Sequence, residues 1–152
     1  MTTNMTTLDI EKNVKIKLNS TIRPTEGDHE SYELWLQGSF IRKSNKMYLR
    51  YEEVLDGKTI RTTVKMNDHN AFILRSGGVK MRLPFNLQEK QNGHYDTEYG
   101  TLPILTKTHR LTHVHNDNNS IEGNFNVQYD LIIGGQSVGE YQLEIQYSEG
   151  KA

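Results

Sequence analysis

The sequence predicts an all-β fold, a single antiparallel sheet closed into an up-and-down barrel of about eight to ten strands. Three observations predict it. Apolar and polar residues alternate with period two through most of the chain, the pattern of strands with one buried and one wetted face. Clusters of Asn, Asp and Gly break that alternation at short, regular intervals, as hairpins in series require. Helical periodicity has only two short candidates, residues 32–37 and 87–91. A sheet this wide would leave long unpaired edges unless it closed or split into two layers, so a β-sandwich is the alternative.

The elements follow in order. Residues 1–12, rich in Thr and Asn, read as a flexible tail, and residues 13–148 as the barrel domain. Val14, Ile16 and Leu18 alternate with Lys15, Lys17 and Asn19, and Met47, Leu49 and Tyr51 with Lys46, Tyr48 and Arg50. Asp56-Gly57 then marks a type I′ hairpin, because both of its central positions need positive φ. Ile60, Thr62, Val64 and Met66 form the next apolar face, followed by Val79, Met81 and Leu83. Near the end, Phe125, Val127, Tyr129 and Leu131 precede Tyr141, Leu143, Ile145 and Tyr147. Further breaks fall at Asn67 to Asn70, Ser76-Gly77-Gly78, Asn92-Gly93, Asn116 to Asn119 and Gly134-Gly135.

Composition removes several function classes. The chain has 152 residues, enough for one domain with a sizeable core. With no cysteine it has no disulfide, thiol nucleophile or thiolate metal site, which fits a reducing compartment. The first residues carry no apolar run, so the expected setting is the cytoplasm, with no membrane partner. Eighteen basic and nineteen acidic residues give a net charge of −1, which argues against electrostatic nucleic-acid binding. No nucleophile elbow, phosphate loop or dinucleotide fingerprint is present, so the chain is expected not to be an enzyme and to need no cofactor.

Residues Gly93-His94-Tyr95-Asp96-Thr97-Glu98-Tyr99-Gly100, Pro103, Thr106-Lys107-Thr108 and Leu111 carry a resemblance, with Tyr129-Asp130-Leu131 and Gly139-Glu140-Tyr141 after them. Over about 13–147 the chain resembles the YwiB-type family of uncharacterised bacterial barrels of lipocalin-like (calycin) fold. The resemblance implies the fold and a bacterial cytoplasmic setting, and brings no activity with it. The Gly-x-Trp of secreted lipocalins and the terminal Arg-x-Tyr of fatty-acid-binding proteins are both absent.

The pleat sorts the candidate site residues. His94, Asp96 and Glu98 are wholly polar, so Tyr95, Thr97 and Tyr99 are expected inside. Between Ile104 and His115 neither face is cleanly apolar; the one with fewer ionisable groups, Ile104, Thr106, Thr108, Arg110, Thr112 and Val114, is placed inside. The inward set between Lys46 and Leu55 is Met47, Leu49, Tyr51, Glu53 and Leu55. The candidate ligand site is therefore Tyr51, Glu53, Tyr95, Thr97, Tyr99, Thr106, Thr108 and Arg110. Two other arrangements stay open: an internal Arg110–Glu53 ion pair, or a bulge that turns both charges to solvent. His113 and His115 share a face at a spacing used by strand-borne metal sites. They are placed outward with His109 as a solvated cluster, so no metal is expected.

The leading function is a monomeric or homodimeric barrel holding a small polar or anionic ligand. The alternative is a filled barrel that binds another protein through exposed Trp35 and Tyr48.

Overall fold

Ten strands follow one another with short connections in the computed structural model, which describes residues 9–150: β1 (Ile10–Pro24), β2 (Glu30–Lys43), β3 (Lys46–Leu55), β4 (Lys58–Met66), β5 (Asn70–Gly77), β6 (Lys80–Asn86), β7 (Gln91–Thr97), β8 (Gly100–Asn116), β9 (Glu122–Ile133) and β10 (Gln136–Glu149). Each strand pairs antiparallel with its sequence neighbours, and β1 pairs β10 from Val14↔Glu149 to Pro24↔Gly139, closing the barrel. Closure leaves no sheet edge to protect. The segment at 32–37 belongs to β2, since Leu34 and Leu36 pack inward with period two. Residues 87–89 form bends. β1 begins at Ile10, paired with Arg42, so the barrel takes in three residues expected in the tail. Asp9 is described and exposed, and residues 1–8 of that expected tail lie outside the described residues.

Hairpin chemistry sets the register. Asp56 (φ 52°) and Gly57 (φ 75°) are both left-handed, as are Ser44 (52°) and Asn45 (67°), and Gly134 (62°) and Gly135 (81°). These pairs match the twist of the strands they join. Side chains from every strand but β7 converge on one core, with Val14, Ile16, Phe40, Leu49, Val64, Phe125, Val127 and Ile145 fully buried. The connections after β1, β3, β5, β7 and β9 lie at one end, here the upper end, and the remaining ones at the lower end. Among the described residues no helix is long and apolar enough to cross a membrane.

One irregularity decides which residues face inward. In the β8–β9 ladder Thr108 pairs Tyr129, but the next pair is Arg110↔Gln128, so His109 is an extra residue. A bulge of this kind moves every later side chain to the opposite face. Before it, Ile104, Thr106 and Thr108 are buried; after it, Leu111 is buried and Arg110 is exposed. Val114, expected inside, is 67% exposed. His113 and His115, expected outside, face the core.

Candidate functional site

Fully buried side chains, among them Val14, Phe40, Leu49 and Phe125, pack the lower half of the barrel. The upper half holds a cavity of about 230 Å³. Its wall is mostly aliphatic, with Leu18, Ile73, Leu83, Ile104 and Leu131 among the lining residues. Leu102 and Tyr32, 40% and 46% exposed, also line it, so the hollow reaches the surface at the upper end. Four tyrosines, Tyr32, Tyr95, Tyr129 and Tyr141, bring phenols to it, and Arg75 is the one charged lining residue.

Arg75 belongs to the inward set of β5, two residues beyond Ile73. It pairs Thr62 of β4, which pairs Tyr51 of β3, so three polar groups stand in a row across the wall. Arg75 Nε is buried and makes no hydrogen bond, and among the described residues the guanidinium has no ion pair. Thr62 Oγ1 stands near enough to Tyr51 to act on its phenol, yet completes no hydrogen bond of normal geometry. Burial pushes the Tyr51 phenol up to about 12, against the opposing pull of Arg75. Burial likewise raises Tyr129, which also feels Arg75 and stacks on Tyr141 at 5.3 Å. These phenols are therefore protonated, and each can donate a hydrogen bond.

The expected ligand residues divide. Tyr95 lines the cavity, and Tyr51 is buried just outside its lining. Thr106 is fully buried, but its hydroxyl donates to the Pro84 carbonyl at 2.5 Å. The β6–β7 ladder holds only three pairs, ending at Arg82↔His94, so Thr106 ties β8 to the unpaired end of β6. Thr108 is buried with its hydroxyl unpartnered. Glu53 is half-buried on the face of Tyr51, while Leu55, next to the turn, is 59% exposed. Three placements are corrected. Thr97 and Tyr99 belong to the β7–β8 turn rather than the lumen: the Thr97 hydroxyl donates to the Gly100 carbonyl and accepts from the Tyr99 amide, and Tyr99 is 92% exposed. Arg110 is turned out by the bulge, and no Arg110–Glu53 ion pair forms. The interior arginine is Arg75, legible in sequence from the alternation Ala71, Ile73, Arg75.

The second polar group inside the barrel is at the lower end. Tyr147 Oη lies 2.9 Å from both His113 Nε2 and His115 Nδ1. Arg42 Nη2 donates to His115 Nε2 at 3.1 Å and to Asp117 Oδ2 at 2.9 Å. Because a guanidinium only donates, His115 Nε2 must accept, and the proton of His115 is assigned to Nδ1. His115 then donates to Tyr147, and Tyr147 donates to His113 Nε2. A metal at His115 Nδ1 would put a proton on Nε2, facing Arg42, which is the wrong outer partner for a ligand histidine. The arrangement is a hydrogen-bonded plug.

Burial, then the neighbouring His115, lowers His113 from 6.5 to about 4; burial, then Arg42, also lowers His115. The fold thus holds both rings neutral where the unfolded chain protonates them. Between about pH 6.5 and pH 4 the unfolded state binds more protons, so stability falls as pH falls through that window. Urea midpoints measured from pH 7.5 to 4 are expected to drop with acid, and His113→Gln is expected to flatten the profile. A native profile already flat over that range would refute the assignment.

On the outer wall the bulge residue His109 joins Asp130 and Glu140, their ligand atoms lying within 4.8 Å of one another. His109 Nε2 is 2.9 Å from Asp130, Arg23 is 3.3 Å from Glu140, and Lys107 pairs Asp130 in register. Arg23 already balances Glu140 and His109 already occupies Asp130, so the cluster is a surface side-chain network.

Fold and hollow together define a class: a closed up-and-down β-barrel, packed at one end and carrying a small lumen at the other. The chain belongs to the family described as a domain of unknown function, DUF1934, whose model matches residues 16–145. It is 28% identical over 125 residues to the uncharacterized beta-barrel protein YwiB of Bacillus subtilis (strain 168), across 82% of this chain and 86% of that protein. The crystal structure of ywiB protein from Bacillus subtilis matches with a TM-score of 0.82 and 25% sequence identity, over 98% of this chain and 100% of that one. The family resemblance carried by the motifs from Gly93 to Tyr141 is thereby established, together with the closed all-β architecture.

Proposed function

We propose that the protein is a cytoplasmic binding module, not a catalyst, that holds one small and mainly apolar molecule in the upper lumen. The observation that carries this reading is the cavity of about 230 Å³ at the upper end of the barrel. Protein interiors are close-packed, and voids larger than a water molecule are few. A hollow with an aliphatic wall and a few convergent polar groups is the usual form of a small-molecule site. The absence of cysteine supports the cytoplasmic setting, and the near-neutral net charge supports a function without nucleic acid or anionic membrane. The reading requires only a monomer.

Native mass spectrometry of protein taken gently from cells tests it, with a bound small molecule as the expected result. Leu131→Phe places a ring in the hollow and is expected to remove the bound mass while holding or raising the unfolding free energy from urea titration, by up to about 2 kcal/mol. Protein that always emerges unliganded would count against the reading.

A second reading rests on the outer wall. Trp35 is 61% exposed, lies under Lys17 at 5.3 Å and shares a surface groove with Val114. Recovery of a protein partner lost on Trp35→Ala would favour an interaction module instead.

A further inference from the structure

We propose that the molecule held in the lumen is a small monocarboxylate, its carboxylate seated on Arg75 and its apolar body among Leu18, Ile73, Leu83 and Ile104. The inference rests on the lumen being a binding site, and adds the chemical class of what enters it.

Arg75 is half-buried, and a partly desolvated cation without a partner is costly, so proteins usually pair it. Here Arg75 lines an apolar hollow, its Nε sealed from solvent and without an acceptor. The two inward groups that feel its charge most, Tyr51 and Tyr129, are protonated phenols, which cannot neutralise it. Glu53 influences Tyr51 and Glu30 influences Tyr141, yet neither carboxylate forms an ion pair with Arg75 among the described residues. The missing partner is therefore an anion that comes from outside. A guanidinium presents a planar fork that a carboxylate matches with two parallel hydrogen bonds. Phenols on the same wall can donate to whichever oxygen lone pairs remain.

Charge and volume narrow the class. Arg75 is the one cation in the lining, and Glu30 and Glu53 add negative potential close by. A dianion such as a phosphate monoester would bring a second negative charge with nothing to meet it. The hollow of about 230 Å³ exceeds the roughly 150 Å³ that holds benzene, and falls below the roughly 300 Å³ where drug-sized sites begin. The body is thus one aromatic ring or a short branched chain, and a long acyl chain does not fit.

Isothermal titration of the full chain with benzoate, benzamide and phenylphosphonate tests the proposal. Benzoate is expected to bind roughly ten-fold or more tightly than its neutral isostere benzamide, with phenylphosphonate weaker than benzoate at pH 8. Arg75→Met, similar in length and without charge, is expected to remove the preference for benzoate while benzamide binding stays within about three-fold. Arg75→Lys keeps the charge without the fork and is expected to retain part of the preference. Equal binding of benzoate and benzamide by the native protein, a comparison that needs no variant, overturns the carboxylate class and leaves the lumen as a neutral-ligand site. Tightest binding of phenylphosphonate overturns the single-charge argument. Entry of none of the three overturns this proposal, while the binding-module reading stands or falls separately on the bound mass in native mass spectrometry.

Discussion

Phe40→Ala is expected to cost about 3–5 kcal/mol of stability, the usual loss for a fully buried phenylalanine. Phe40 is 0% exposed and packs against two members of the lower plug, 5.0 Å from the His115 ring and 5.6 Å from the Tyr147 ring, which are themselves 6.1 Å apart. Arg42 lies over the same ring at 5.9 Å. Truncation would therefore leave a cavity and also loosen the rings whose hydrogen bonds fix the end of β8 against β10. A closed barrel cannot easily collapse around such a hole, since every strand is held by two neighbours. Total domain stability is typically about 5–15 kcal/mol, so this one change is expected to take a large share of it. Urea unfolding checks the result: the midpoint should fall with an unchanged slope. A loss below about 1 kcal/mol would mean that the plug contributes little to folding.

Gly123→Ala is the second large effect, and its cause is steric. Gly123 pairs His115 on one side and Tyr147 on the other, so it lies between the two groups that hydrogen-bond across it. A Cβ there would fall inside contact distance of the Tyr147 hydroxyl and 2.6 Å from the Val114 carbonyl oxygen. The tyrosine reaches the histidines because its neighbouring strand carries no side chain at that point. Overpacking of this kind costs about 1–3 kcal/mol, and displacing Tyr147 adds two lost hydrogen bonds at about 1 kcal/mol each. Tyr147→Phe removes the hydroxyl alone and leaves His113 Nε2 without its donor. Because both changes act on one contact, the double variant is expected to cost less than the two singles combined. Strict additivity in urea unfolding would show that Gly123 matters for some other reason.

Both effects centre on a part of the molecule that the sequence describes poorly, and the reason lies in the bulge at His109. Alternation places side chains correctly for as long as the register runs unbroken: Val14 to Leu18, Ile60 to Met66 and Phe125 to Leu131 all face as their patterns require. In β8 the pattern is compromised, with Thr106 and Thr108 on one face and Leu111 on the other. A change of face at His109 makes both halves consistent, but one residue of slip is visible only against the partner strand. Arg110 and Val114 were misplaced inward, and His113 and His115 outward, by that single step. Thr97 and Tyr99 differ for another reason: Thr97 is the last residue of β7, beyond the lumen, and the alternation does not continue into the turn that holds Tyr99.

The sequence by itself determined that this chain is all-β, which residues face inward along most strands, and where Asp56-Gly57 and Gly134-Gly135 turn the chain. Those features follow from local chemistry: period-two alternation, positive φ, and the need to bury one face of every strand. The β1–β10 pairing decided for the barrel over the sandwich. Only the tertiary structure decided which charge enters the barrel and where it stays hollow. Arg75 rather than Arg110 is the interior cation because a register shift between two strands turns one out, while the other lies on an unbroken face. The cavity exists because side chains from strands far apart in sequence stop short of meeting at the upper end, and that is a property of their shared volume, not of any one segment.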